Sequence, residues 1–235
     1  MDEKESQDFG SERRIMGKKQ YQDMDMIERM IYGPKQWATL GMAAVNILVF
    51  AVTSFFGLDA EHMVRYGAAV TPYILQGEYY RLFTSMFLHF DLHHLIGNMV
   101  MLILLGAYLE RFVGKARYLA IYLLGGIAGN LLSMMLEIRA GEYAISAGAS
   151  GAVFATVGGL LALLIVHRGR LADLTLRRVS LMAILSAAYG FSSYGVNNAA
   201  HIGGLAAGFL TALLLYRRGS RRYRENCINE QEAEW

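Results

Sequence analysis

The chain has 235 residues, of which 54% are hydrophobic, with a mean hydropathy of +0.30, 25 glycines and only 2 prolines. This is too apolar for an ordinary soluble domain; it predicts one membrane-embedded bundle and leaves no length for a second large domain. The net charge of +2 is small, and a single cysteine, Cys227, excludes an intramolecular disulfide.

Residues 1–35 read as a polar cytosolic tail. The first 36 residues carry eight acidic and seven basic side chains before any apolar run begins, unlike a cleavable signal peptide. An amphipathic piece is expected around Met24–Ile31. Six apolar segments follow, each near the length that crosses about 30 Å of hydrocarbon. They are Trp37–Leu58, Leu92–Leu109, Tyr118–Leu136, Gly151–Val166, Val179–Tyr194 and Ala199–Tyr216. The fifth is short and serine-rich. The membrane domain is thus expected over 36–217, with a polar cytosolic tail over 218–235.

Lysines and arginines test this assignment independently of hydropathy. Seven lie in the N-terminal tail, three between the second and third segments (Arg111, Lys115, Arg117), four between the fourth and fifth (Arg168, Arg170, Arg177, Arg178), and five after the sixth. The other three connections hold only Arg65, Arg81 and Arg139. Basic residues concentrate on the cytoplasmic side, so the pattern predicts six helices with both termini in the cytoplasm. It also excludes a nucleic-acid surface, because the charges alternate with apolar spans. Nothing N-terminal resembles an Arg-rich, acid-poor transit peptide, which points to a prokaryotic plasma membrane. The connection over residues 59–90 is too long for a simple turn and carries Tyr66, Tyr73, Tyr79, Tyr80, Phe83 and Phe87. It reads either as a segment lying partly in the membrane interface or as a plain external loop.

With this orientation, helices two, four and six run inward and their N-terminal ends share one depth. That layer holds His94 and Asn98 in helix two, Ser150 opening helix four and His201 in the first turn of helix six. Polar groups are costly in hydrocarbon and face the bundle interior or a wet cavity, so four of them at one level argue for a site. His94 and Asn98 lie one turn apart on one face, as do Ser150 and Phe154. Gly148, Ala149 and Gly151 let backbone approach closely around Ser150, and the next fifteen residues, Ala152–Val166, carry no charge. Taken alone, this stretch reads as a small-residue packing interface. A serine at a helix start also sits where free N–H groups and the helix dipole favour an oxyanion. Gly204 and Gly208 form a ridge beside His201 over which a partner helix comes close enough for His201 to reach a serine. A hydroxyl within reach of a neutral imidazole, whose reference pKa is about 6.5, is the minimal activated nucleophile. His94 and Asn98 could then donate to a developing oxyanion. His89 reads equally as a structural histidine bonded to a backbone carbonyl. His93 points away from the His94 and Asn98 face, and His167 lies at the cytoplasmic end among arginines.

At these residues the chain resembles the rhomboid family of intramembrane serine proteases. The motifs are His89-x4-His94-x3-Asn98, Gly148-Ala149-Ser150-Gly151 and Ala200-His201-x2-Gly204-x3-Gly208, in family order and at family spacing over most of the chain. Gly106-x3-Glu110-x3-Gly114 and Tyr80-Arg81 match as well. The loop pair is usually Trp-Arg in the family, and a tyrosine is common where this chain has Phe154. The resemblance implies an all-α, six-transmembrane-helix rhomboid-like bundle with a partly membrane-embedded first loop. It implies Ser150 as nucleophile, His201 as general base and acid, and an oxyanion hole from His94, Asn98 and the Ser150 backbone N–H, with no cofactor or metal. Its substrates would be transmembrane segments of membrane proteins, entering sideways from the lipid. One rival reading is a catalytically silent binder of transmembrane helices on the same scaffold. Another is a membrane protein whose His89, His94 and His201 hold zinc, against which stands the lack of a His-Glu-x-x-His motif.

Overall fold

The computed structural model describes residues 36–171, 174–182, 184 and 197–216. The N-terminal tail with Met24–Ile31, most of the fifth expected span and the C-terminal tail with Cys227 lie outside the described residues. In chain order the elements are α1 (Trp37–Phe56), α2 (Ala60–Tyr66), β1 (Ala69–Val70), α3 (Thr71–Leu75), α4 (Arg81–Thr84), α5 (Leu92–Val113) and α6 (Lys115–Ala140). Then come β2 (Ile145–Ser146), α7 (Ser150–Val166), β3 (Arg170–Leu171), β4 (Leu174–Thr175) and α8 (Asn198–Leu215). Residues 176–182 are also helical. Among the described residues, α1, α5, α6 and α8 are long and apolar enough to cross a membrane, while α7 is apolar but has only 17 residues.

The helices overrun the apolar segments where charged residues flank them. The second segment, expected to end at Leu109, continues to Val113 and stops at Gly114, whose φ of 84° breaks the helix. The third, expected over Tyr118–Leu136, runs from Lys115 to Ala140 and stops at Gly141, φ 70°. Hydropathy marks only the lipid-matched part; backbone hydrogen bonding carries the helix on until a left-handed glycine ends it. Inside α5 the ladder widens to a π turn over Leu102–Gly106.

Thirteen of the residues of α7 are buried, which makes it the central helix, wrapped by α6 and α8. Water supplies no hydrophobic drive between helices in lipid, so close packing must come from small side chains. A Cβ at Gly204 would collide with the carbonyl of Gly151, one at Gly208 with that of Ala155, and one at Gly158 with that of Leu205. On the α6 side, Gly129 meets Ala200 O at 2.5 Å from its Cβ position. The helices therefore touch backbone to backbone, and their relative depth is set to within an atom.

The long connection after α1 is folded rather than slack. Met63, Ala68 and Leu88 form a buried cluster against Val49, Leu58, Tyr66, Phe90, Ile145 and Ala147. Arg81, only 5% exposed, is buried in the same connection. Its Nη1 donates to Val64 O at 2.7 Å and Ala68 O at 2.9 Å, and its Nε to Glu78 Oε2 at 2.7 Å. Tyr80 donates its hydroxyl to the same Glu78 oxygen at 2.7 Å, and these two hydrogen bonds, led by that of Tyr80, hold the Glu78 carboxyl below its usual range. β1 then pairs antiparallel with β2, Ala69 opposite Ser146, tying this connection to the segment that leads into α7.

Glu110, near the far end of α5, is buried at 4% exposure. It accepts from Ala38 N at 3.1 Å, Thr39 N at 2.7 Å and Thr39 Oγ1 at 2.8 Å. The N-cap of α1, Gln36, makes no side-chain bond of its own, so a carboxylate from another helix satisfies the free N–H groups and the positive end of the dipole.

Candidate active site

α5 begins at Asp91, whose Oδ1 accepts from His94 N at 2.7 Å. The cap places His94 in the first turn and Asn98 one turn further in. Asn98 is 6% exposed and its Nδ2 has no hydrogen-bond partner among the described residues. His89 is fully buried, packed edge-on to His94 with ring centroids 5.1 Å apart. Burial, reinforced by His94, pushes the His89 imidazole down to about 4, so it is neutral at physiological pH. His93 is exposed, as its spacing predicts, and His167 meets the Tyr216 hydroxyl at 2.8 Å.

Ser150 opens α7, half-buried, after Ala149, which offers no side-chain cap. The first-turn N–H groups therefore have no side chain folded over them. Gly148, two residues earlier, has φ +148°, a conformation that side-chain-bearing residues rarely adopt. A Cβ there would stand 2.7 Å from His94 Cε1, 2.9 Å from His94 Nε2 and 3.8 Å from Ser150 Oγ. The missing side chain thus lets the His94 ring close against the Gly148 backbone beside the Ser150 hydroxyl. The N–H of Gly148 donates to Ser85 O at 2.9 Å, which holds the turn against the first connection.

His201 lies in the first turn of α8 and is 7% exposed. Its ring stacks on Phe154, centroids 4.3 Å apart and planes 8° from parallel. Phe154 is one turn below Ser150 on α7. Next to His201, Ala200 O lies 3.4 Å from the Cβ position of Gly151, the neighbour of Ser150. Nδ1 of His201 has no hydrogen-bond partner among the described residues, so stacking rather than an acid orients the ring.

Ser150, Phe154, His201, His94 and His89 therefore form a chain of neighbouring groups, with Asn98 a turn below His94 and Gly148, Gly151, Gly204 and Gly208 giving the close approach. Arg81 and Glu110 stand apart. Arg81 organises the first connection, and Glu110 lies three turns beyond Asn98, about 18 Å along the helix axis. Among the described residues no three His, Cys, Asp or Glu side chains gather into a possible metal site. Sequence reasoning passed over Ser85, Asn130, Ser133, Ser146 and Asn197. Asn130 Nδ2 donates to Leu82 O at 2.8 Å and Ser85 Oγ at 3.0 Å. Of the five, only Asn197 carries a usable signal, an asparagine just ahead of an apolar helix.

The Rhomboid domain family model matches residues 76–218, which contain every one of these site residues. The chain is 35% identical over 174 residues to Rhomboid protease GluP of Bacillus subtilis, covering 73% of this chain and 33% of that relative. It is 32% identical over 172 residues to YdcA of the same organism, covering 72% of this chain and 85% of YdcA. Rhomboid-like protease 3 of Toxoplasma gondii is 32% identical over 184 residues, covering 77% of this chain and 67% of that protein. This chain spans only a third of the length of GluP. A match over most of the bundle, carried by apolar helices that meet through glycine, shows that the chain is an integral membrane protein belonging to the rhomboid family.

Proposed function

We propose that this protein is an intramembrane serine endopeptidase that hydrolyses peptide bonds in or near transmembrane segments of other membrane proteins. Ser150 is the nucleophile and His201 the general base and acid. The observation that carries the reading is the backbone contact of α7 with α8, which sets Ala200 against Gly151 and stacks His201 on Phe154 beneath Ser150. Relatives named as rhomboid proteases support it.

In this reading His201 takes the proton of Ser150 as Oγ attacks the scissile carbonyl carbon. The carbonyl oxygen becomes an oxyanion facing His94, Asn98 and the Ser150 N–H, where one donor is worth about 10²–10³ in rate. Collapse of the intermediate breaks the C–N bond, and His201 returns the proton to the leaving amine. Water, deprotonated by His201, then hydrolyses the acyl-enzyme and restores the serine. Asn98 Nδ2, without a partner among the described residues, supports its assignment as a donor held for the transition state. The length of α7 supports a wet site: 17 residues span about 25 Å against about 30 Å of hydrocarbon, so a helix anchored at the inner face starts below the outer one. The exposed Tyr73, Leu75, Tyr79, Tyr80 and Phe83 support a first connection lying partly in the membrane. Six spans with both termini in the cytoplasm of a prokaryotic plasma membrane remain part of this proposal; reporter fusions at the two ends test it.

The decisive experiment compares purified wild type and Ser150→Ala on a panel of model transmembrane substrates. Cleavage by wild type and none by Ser150→Ala or His201→Ala is expected; undiminished cleavage by Ser150→Ala refutes the assignment. A mechanism-based serine-hydrolase probe that fails to label Ser150 favours the silent helix-binding scaffold, and activity lost on chelation favours the metal reading.

A further inference from the structure

We propose that Asn197 is a positioning residue that braces the helix carrying His201 against the turn carrying Ser150; the proposal rests on the protease reading of this same site. Asn197 is the N-cap of α8, its Oδ1 accepting from Ala200 N at 2.9 Å. Its Nδ2 donates to Ser146 Oγ and to Ser133 Oγ, each at 2.8 Å. One amide thus joins three elements: the first turn of α8, the end of β2 four residues before Ser150, and the outer part of α6. An amide suits the position because the cap demands an acceptor while the two hydroxyls are met by two N–H donors on the other arm.

The network continues outward and is anchored at both ends. Ser133 leads to Glu137, whose Oε2 accepts from Thr71 Oγ1 at 2.5 Å, and Thr71 directly follows β1, the strand paired with β2. On the opposite side of the same turn, Gly148 N is held by Ser85 O and Ser85 Oγ by Asn130. The Ser146–Ser150 segment is therefore clamped from one side to α6 and the first connection, and through Asn197 to α8. The glycine contacts set how far apart α7 and α8 stand. At the first turn of α8, where Ala200 O already lies against Gly129 and Gly151, Asn197 adds the polar tie that fixes azimuth and register. Among the described residues no acid holds the His201 Nδ1, so the first-turn register helps decide where the ring points.

Two substitutions separate a brace from a simple helix cap. Asn197→Ser keeps a good N-cap but is too short to reach both hydroxyls, and Asn197→Ala removes cap and brace together. The brace predicts that Asn197→Ser lowers kcat about 10- to 100-fold with KM and thermal midpoint near wild type, since a displacement of about 1 Å in a reacting pair costs that order of rate. Ser146→Ala should lower kcat in the same direction, and the Asn197→Ser/Ser146→Ala double variant should lose less than the product of the single losses. The labelling rate of Ser150 by a fluorophosphonate should follow kcat. Wild-type kcat in Asn197→Ser, or losses that multiply independently, overturns the brace while leaving the protease reading intact. Wild type that neither cleaves nor labels overturns the protease reading and the catalytic role of the brace with it.

Discussion

Replacing Gly204 by alanine adds one methyl group where α7 and α8 touch. The new Cβ would overlap Gly151 O and stand 2.9 Å from Gly151 C and 3.3 Å from Gly151 Cα. All three are backbone atoms of a central helix, so none can swing aside as a side chain would. Ordinary non-bonded separations are about 3.5 Å, so the two helices must part by on the order of 1 Å. Overpacking of this kind costs about 1–3 kcal/mol, which a folded bundle survives. Catalysis suffers more, because Ser150 precedes Gly151 and His201 lies one turn before Gly204. A displacement of about 1 Å between reacting groups costs about 10²-fold, so kcat should fall by that factor while KM stays near wild type. The assay is cleavage of a model transmembrane substrate in liposomes, with thermal unfolding in detergent run alongside. Gly203→Ala is the control for packing alone, since its Cβ would press on Leu132 and Gly129 of α6 instead. It should lower the thermal midpoint without a comparable loss of kcat. Gly41→Ala, with nothing within 4 Å among the described residues, should do neither. A Gly204→Ala protein that cleaves at the wild-type rate refutes the claim that this contact sets the site.

Three further outcomes follow from particular contacts. Phe154→Ala removes the ring stacked on His201, an interaction of about 0.5–1.5 kcal/mol, and should lower kcat up to about 10-fold, with Phe154→Tyr near wild type. Glu110→Gln turns an amide donor toward the α1 N–H groups and should cost about 1–3 kcal/mol of stability, read as a lower thermal midpoint, with activity per folded molecule retained. His89 is held neutral by burial, with a folded pKa of about 4 against about 6.5 unfolded, so the unfolded chain binds the proton first. Stability from this group is therefore complete above about pH 6.5 and declines by up to about 3 kcal/mol as pH falls toward 4; a His89→Phe variant should show a flatter profile of thermal midpoint against pH.

Much of the bundle is legible in the sequence because hydropathy is a local sum. Trp37–Phe56, Ser150–Val166 and Asn198–Leu215 lie within two residues of the segments read from composition. The spacing of His94 and Asn98, the small residues around Ser150 and the glycines after His201 were equally readable, since helical periodicity converts sequence distance directly into a shared face. The true ends of α5 and α6 were hidden, because charged residues such as Glu110, Lys115 and Glu137 lower hydropathy without ending a helix.

What the residues alone determined is a membrane bundle with Ser150, His94, His201 and Asn98 each near a helix N-terminus, since hydropathy marks the spans and helical periodicity the positions within them. Only the tertiary structure decided that Gly204 rests on the Gly151 carbonyl, that Phe154 stacks on His201 at 4.3 Å, and that Glu110 caps a helix more than 70 residues away. These are contacts between backbone and side chains remote in sequence. They depend on how the helices rotate and slide against one another, and no local pattern encodes that.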